Sequence, residues 1–456
     1  MNTSSDAAQD GRRSAWRQRC QELSGRTVLV VGCAEFRKRD LWRTARDYGL
    51  RIVLVEASWP FPPELGFGDE TTDVIVLPDL HADHSEAADL AHCEQIVRQL
   101  ELLRIAPDGV VTVWDECAVL AAMLAARLGL RGNPVEAQRR AKIKLETYRA
   151  LAERAPDLAV PFVELHAPQD VRSERARDVG YPAVVKWCHG MGGFGTTPVD
   201  GPAEAERAAA HLLDLLAAPE RAARLHPEIC FRFGDRGVVL MEFIRGSEHD
   251  VDLLLFDGEL VDAVVTDNAM HAKSSAEACA LMPSALPEAA QDELIAAAYR
   301  ACRALGLTDG AVNVELMRSP TGPKIIEING RMGGVYIAAW VADIWSFDLR
   351  AAVFMIACGL HPVGRVVHAP RCHIAGVSCF PGDGSSPTAD LGEHARTVVY
   401  LPDRTGSPAT PYMSVGFRGA SARDALAEAE ARLPALFEGD PARARLLAEL
   451  LATLVP

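Results

Sequence analysis

The 456-residue sequence predicts an α/β and α+β protein, a parallel-sheet unit followed by mixed-sheet domains. Three observations carry this expectation. Four short Val-rich runs alternate with helical patterns up to about residue 133, as buried parallel strands do. From Tyr181 onward, strand-like segments are joined by hairpin signals instead. The length also exceeds one ordinary domain and suits about three.

The first strands are read at Thr27–Gly32, Ile52–Glu56, Asp73–Leu77 and Gly109–Trp114. The segment after the first, Val31-Gly-Cys-Ala-Glu-Phe36, lacks the glycine spacing of a dinucleotide fingerprint, so no dinucleotide is expected there. Residues 1–22 are polar and read as a flexible tail, and 23–133 as a Rossmann-like domain. From Pro134 to Ala155 the pattern is helical, with Asn133 as N-cap before Pro134.

Strand Tyr181–Trp187 runs into a loop of four glycines, His189–Gly195. A helix follows near 203–217, then strands at Gly237–Phe243 and Val251–Phe256. Asp257-Gly258 marks a tight hairpin, and Ser319–Gly322 a second one, joining strand Ala311–Met317 to Lys324–Ile328. Residues 134–246 are expected to form a small domain and 247–456 a large one, with a C-terminal subdomain from about 365. That subdomain is Pro- and Gly-rich around Pro381–Pro387 and closes with helices near 422–433 and 441–453. Ser421 and Asp424 read as the capping start of the first.

Composition narrows the function. Acidic side chains outnumber basic ones 62 to 47, which disfavours nucleic-acid or anionic-membrane partners. The eleven cysteines show no paired spacing, and no apolar run reaches membrane length, so a cytoplasmic protein with reduced thiols is expected.

The chemistry-bearing residues fall in three groups. Asn313-Val-Glu315 and Glu327-Ile-Asn329-Gly-Arg331 lie on predicted paired strands, and alternation puts Glu327, Asn329 and Arg331 on one face with Glu315 beside them. Two carboxylates and an amide oxygen suit Mg²⁺ (or Mn²⁺) bridged to a triphosphate, while a solvated polar face is the plainer reading. Lys186 followed by the glycines (His189, Gly190, Gly192, Gly193) can hold phosphate, with the loop as a lid, or be a simple turn. The edge at Glu242-Phe243-Ile244 can meet an adenine, and Glu248 a ribose.

In this order, and with a helix bearing Lys144, these motifs resemble the ATP-grasp superfamily across residues 27–360. The resemblance implies an ATP site between a small lid-bearing domain and a large one. Lys144 and Lys186 are then phosphate contacts, Glu315, Glu327 and Asn329 magnesium ligands, and Arg331 a group acting on the transferring phosphoryl or a substrate carboxylate. Met241 stands where many relatives carry an acid, and Lys142 competes with Lys144 for the phosphate role. The stretch from Val265 through His271 and Glu277 to Pro287 looks like that of L-amino-acid ligases and carnosine synthases, where it would line a substrate pocket or else be a surface insertion. Asp115 and Glu116, ending a parallel strand, could hold a substrate ammonium or complement a helix dipole. Tyr336 and Trp340, after Gly334, could wall a side-chain pocket or belong to the core.

The function implied is ATP- and Mg²⁺-dependent ligation of a carboxylate to an amine through an acyl phosphate, joining small amino-acid-like substrates. One alternative keeps the fold and acts on bicarbonate or a purine precursor. Another is a non-catalytic ATP-binding subunit or sensor, against which the joint presence of Glu315, Glu327, Asn329 and Arg331 speaks. Oligomeric state is left open, a homodimer included.

Overall fold

The computed structural model describes residues 3–32, 39–57, 72–188, 195–225, 237–270, 277–334, 336–365, 369–386, 388–399 and 411–454. Its first part runs α1 (Thr3–Leu23), β1 (Thr27–Val31), α2 (Arg39–Asp47), β2 (Arg51–Glu56), β3 (Thr72–Val76), α3 (Glu86–Leu103), β4 (Gly109–Val111) and α4 (Ala118–Leu128). The four strands are parallel in the order β3-β2-β1-β4. Alternate residues point to opposite faces. Val28 and Val30 enter one core while Leu29 and Val31 enter another, the second covered by α3 and α4. The N-terminus departs from the expected flexible tail: α1 is helical, and its Trp16 packs on Phe347 with ring centroids 5.0 Å apart. Apolar Trp16 and Leu23 within a polar stretch supply the contacts that hold it.

The second part comprises α5 (Val135–Lys142), α6 (Lys144–Arg154), β5 (Phe162–Leu165), α7 (Glu174–Val179), β6 (Ala183–Trp187), β7 (Thr196–Val199), α8 (Pro202–Ala217), α9 (Pro219–Leu225) and β8 (Val238–Glu242). The strands form an antiparallel sheet, β5-β8-β6-β7. Ile143 takes an extended conformation between the two helices, so the single helix expected over 134–155 is two. Asn133 does not cap it. Its side-chain carbonyl instead accepts from the backbone N–H groups of Thr308 and Asp309, at 2.8 and 2.9 Å.

The third part holds β9 (Ser247–Phe256), β10 (Glu259–Met270), β11 (Glu277–Met282), α10 (Glu288–Leu305), β12 (Gly310–Ser319), β13 (Gly322–Asn329), α11 (Ile337–Trp345), α12 (Leu349–Ala357), β14 (His373–Cys379), β15 (Ala395–Val399), β16 (Met413–Gly419), α13 (Ala422–Leu436) and α14 (Pro441–Ala452). One eight-stranded sheet, β13-β12-β9-β10-β11-β14-β16-β15, runs through all of it. Asp257 (φ 54°) and Gly258 (φ 78°) make the predicted hairpin. The Ser319–Gly322 hairpin and the Ser421 cap also form. The C-terminal part beyond about residue 365 contributes three strands to this sheet, on either side of its Pro- and Gly-rich turn. Helix α12 crosses to the first sheet, where Ala351, Phe354 and Met355 join the Val28–Val30 core. A Cβ on Gly109 would lie 2.7 Å from the Ala357 backbone, so this strand–helix approach requires glycine.

Candidate active site

Pairing of β12 with β13 sets Glu315 opposite Glu327 and Asn313 opposite Asn329, the juxtaposition that the predicted hairpin allowed. The next strand extends both rows: Asp250 lies opposite Glu315, and Asp252 opposite Asn313. Strand β10 adds Thr266 beside Asp250 and Asn268 beside Glu248. One sheet face therefore carries the row Glu327–Glu315–Asp250–Thr266 and, a step along, Asn329–Asn313–Asp252. Asn329 donates to Glu315 Oε1 and to Asn313 Oδ1, each at 3.1 Å. Beyond it, Arg331 reaches back to Asn329 Oδ1 at 3.4 Å and stands 3.6 Å from Asp115.

The small sheet brings its own cations over this face. Lys144 begins α6, is 9% exposed, and donates to Glu327 Oε1 at 2.7 Å. Lys142 points elsewhere, into an ion pair with Asp115. Lys186, at the end of β6, is 5% exposed with its ammonium 5.0 Å from the Tyr148 ring centroid, and among the described residues it forms no ion pair. Burial, aided by the like charge of Lys144, pulls the Lys186 ammonium down to about 8, against the opposing carboxylates of Glu327 and Glu315. A buried ammonium without a carboxylate partner fits an incoming phosphate.

A cavity of about 810 Å³ separates the two sheets. Lys186, Glu242, Phe243, Ile244 and Glu248 all line it, so residues well separated in sequence converge as the motif order implied. The N–H groups of Glu242 and Phe243 already donate to the carbonyls of Pro161 and Pro182, at 3.0 and 3.2 Å. These bonds fix the edge, and Phe243 keeps an exposed ring beside the cavity. Leu450 and Leu454 from the end of the chain supply an apolar wall that no local motif announces.

Other expected residues are placed differently. Tyr336 and Trp340 do not wall a pocket: they are 2% and 0% exposed, their rings 4.0 Å apart in the core. The reason is close sheet packing. A Cβ on Gly376 or Gly416 would come within 2.6 or 2.8 Å of the Trp340 ring. At Gly334 a Cβ would meet nothing within 4 Å, so that turn is open. Asp115 sits in a short 3-10 turn, Asp115–Cys117, and its charge is already matched. Burial would raise its carboxyl, but Lys142 and Arg331 hold it well below the usual carboxylate range. Lys142 likewise is opposed by burial and still pushed upward by Asp115 and Glu116. Among the described residues, the buried Oε2 of Glu116 has no hydrogen-bond partner. Glu277 opens β11 opposite Met270. His189, Gly190, Gly192, Gly193 and His271 lie outside the described residues.

The sequence reading gives no role to Asp250 and Asp252, although acids spaced two apart from Glu248 in a strand signal one face. Asp252 is 7% exposed, and burial raises its carboxyl to about 7 against the Asn313 amide and the Arg331 charge. Among the described residues no three His, Cys, Asp or Glu side chains form a metal cage. A magnesium ion carried partly by phosphate oxygens needs only one or two carboxylates from the protein, which this face offers.

Comparison with known proteins agrees with this geometry. The model of the ATP-grasp domain matches residues 141–335. Carnosine synthase 1 of Gallus gallus is 38% identical over 373 residues, covering 80% of this chain and 39% of that protein. Carnosine synthase 1 of Homo sapiens is 34% identical over 452 residues, covering 94% and 52%. The chain thus spans about half the length of these relatives or less. The crystal structure of an L-amino acid ligase from Bacillus licheniformis superposes with a TM-score of 0.67 at 18% identity, over 94% of this chain and 98% of that one. With motif order, sheet topology and domain match in accord, residues 141–335 of the chain form an ATP-grasp domain, and the chain is similar in sequence to the carnosine synthases.

Proposed function

We propose that this chain is an ATP- and Mg²⁺-dependent carboxylate–amine ligase that makes an amide or dipeptide bond through an acyl phosphate and releases ADP and phosphate. The observation that carries the reading is the pairing of Glu315 with Glu327 on one sheet face, opposite Lys144 and the Lys186 ammonium, which forms no ion pair among the described residues. A carboxylate is a poor electrophile, and attack by its oxygen on the γ-phosphorus of ATP converts it into a mixed anhydride that an amine can open.

In this reading Lys144 and Lys186 bind phosphate, the Glu242–Ile244 edge meets adenine and Glu248 meets ribose. Glu315, Glu327 and Asn329 would hold magnesium, which when bound offsets the charge gathering on phosphoryl oxygens. The Lys144–Glu327 pair is exchangeable, each member having its own partner in the loaded site. Of the two lysines in α5 and α6, Lys144 takes the phosphate role, since Lys142 serves Asp115. Arg331, tied to Asn329 and Asp115, presents its guanidinium to the substrate carboxylate or the transferring phosphoryl group. Glu116 is the remaining acid of its pair free to meet a substrate amine.

The division into 23–133, 134–246 and 247–456 belongs to this reading, with one sheet in each. The names of the relatives, carnosine synthase and L-amino acid ligase, favour amino-acid substrates. A cytoplasmic setting belongs to this reading, on the scattered spacing of the eleven cysteines. No helix among the described residues is long and apolar enough to cross a membrane.

The test is product analysis with ATP, Mg²⁺ and paired amino acids. ADP and phosphate are expected, and ¹⁸O placed in the donor carboxylate should appear in the phosphate. Formation of AMP and pyrophosphate would overturn the mechanism.

A further inference from the structure

Strand β9 has two faces, and the ligase reading uses one of them. Glu248, Asp250 and Asp252 lie on that face, while Ser247 and His249 alternate to the other. Pairing sets Asp267 of β10 directly opposite His249, and Arg318 of β12 directly opposite Ser247. Three of these side chains join in series. Ser247 Oγ lies 2.7 Å from His249 Nε2, and His249 Nδ1 lies 2.8 Å from Asp267 Oδ1.

The direction of the hydrogens follows from the other partners of Asp267. Its Oδ2 accepts from the Ala285 N–H at 2.6 Å, and its Oδ1 accepts from the Ser284 hydroxyl, whose oxygen is itself engaged by the Leu286 N–H at 3.1 Å. A carboxylate surrounded by donors accepts from His249 Nδ1 as well, which leaves Nε2 as the basic nitrogen facing the Ser247 hydroxyl. His249 and Asp267 are 2% and 3% exposed, whereas Ser247 is exposed. A reachable hydroxyl, a sheltered base and a fixed carboxylate behind it make a nucleophilic triad, which is defined by geometry rather than by order in the chain. Arg318 is exposed beside Ser247 and forms no ion pair among the described residues, so its guanidinium can meet an oxyanion there. The cavity of about 810 Å³ is lined by Ser247, His249 and Asp267 too, and Leu286, Leu450 and Leu454 add apolar wall to it.

We propose that Ser247 and His249, positioned by Asp267, form a second catalytic centre that hydrolyses esters of short apolar acyl groups. Ser247 Oγ bonds to the carbonyl carbon and its proton passes to His249 Nε2, with Arg318 facing the oxyanion. The bond from that carbon to the alcohol oxygen then breaks, and the leaving oxygen takes the proton from His249. Water repeats both steps on the acylated serine and releases the acid. The apolar wall receives the acyl chain. This activity stands apart from ligation and needs neither ATP nor a metal.

The experiment uses the whole protein with an alkyl fluorophosphonate and, separately, with 4-nitrophenyl butanoate. The fluorophosphonate loses fluoride as the serine oxygen bonds to phosphorus, and peptide mass spectrometry locates the label. Ser247 should be labelled about tenfold or more faster than any other serine, and the butanoate should be turned over. Ser247→Ala should abolish both reactions and melt as the wild type does, its side chain being exposed. His249→Gln should slow labelling by about 100-fold or more, and Asp267→Asn should lower kcat with KM unchanged. Arg318→Ala, a surface change that keeps the fold, should lower kcat for the butanoate by about 100-fold. Labelling spread evenly over the exposed serines, or butanoate hydrolysis that survives Ser247→Ala, would overturn the centre. Labelling of Ser247 at the wild-type rate in both His249→Gln and Arg318→Ala would overturn it too, by showing the network to be structural.

Discussion

At the scale of single residues, the site is a balance of buried charges. Glu327 is held by Lys144 at 2.7 Å and lies across the ladder from Glu315, so its charge matters more than its shape. Glu327→Gln should keep the fold and lower turnover by on the order of 100-fold or more at saturating Mg²⁺, the scale of losing one preorganised electrostatic contact. Retention of half the wild-type turnover would refute its metal role. Lys186 offers a pH test. Its protonated form is the one that binds phosphate, and burial has brought it down to about 8. Affinity for ADP should therefore be full below pH 8 and decline as pH rises through 8. Lys186→Met should bind more weakly and lose that pH dependence. An unchanged profile in the variant would assign the titration to another group.

At the scale of elements, the start of β9 is where backbone geometry positions chemistry. Gly246 has φ 150°, and a Cβ there would lie 2.2 Å from the Arg318 carbonyl oxygen on β12. Gly246→Ala must push the two strands apart just before Glu248. The strain is expected to cost on the order of 1–3 kcal/mol in chemical denaturation. ADP affinity should fall with it, because Glu248 lines the cavity two residues on. Full affinity in a destabilised variant would separate the glycine's structural role from the nucleotide site. Trp340 teaches the opposite lesson. Its helical spacing from Tyr336 allowed a pocket wall or core, and two sheet glycines distant in sequence, Gly376 and Gly416, made it core.

At the scale of the whole molecule, the cavity exists because two sheets and the end of the chain meet: β6 and β8 on one side, β9, β10 and β12 on the other, with Leu450 and Leu454 closing it. A nucleotide bound there holds these parts together, and at about 100 times its Kd linkage gives ~2.7 kcal/mol of stabilisation. Mg²⁺-ADP should accordingly raise the thermal unfolding temperature, and no shift would argue against a nucleotide in this cavity. The sequence by itself determined the strand periodicities, both hairpins, the Ser421 cap and the facing of Glu315 with Glu327. Each depends on local alternation or turn chemistry that neighbours in the chain encode. Only the tertiary structure decided that Lys142 serves Asp115 while Lys144 serves Glu327, since two lysines separated by a break between helices can diverge in any direction until partners fix them. It also decided that α12 completes the first sheet's core and that the C-terminal part, despite its Pro- and Gly-rich turn, adds three strands to the large sheet. Such placements come from burial and pairing between distant segments, and burial is a property of the packed chain rather than of any stretch of it.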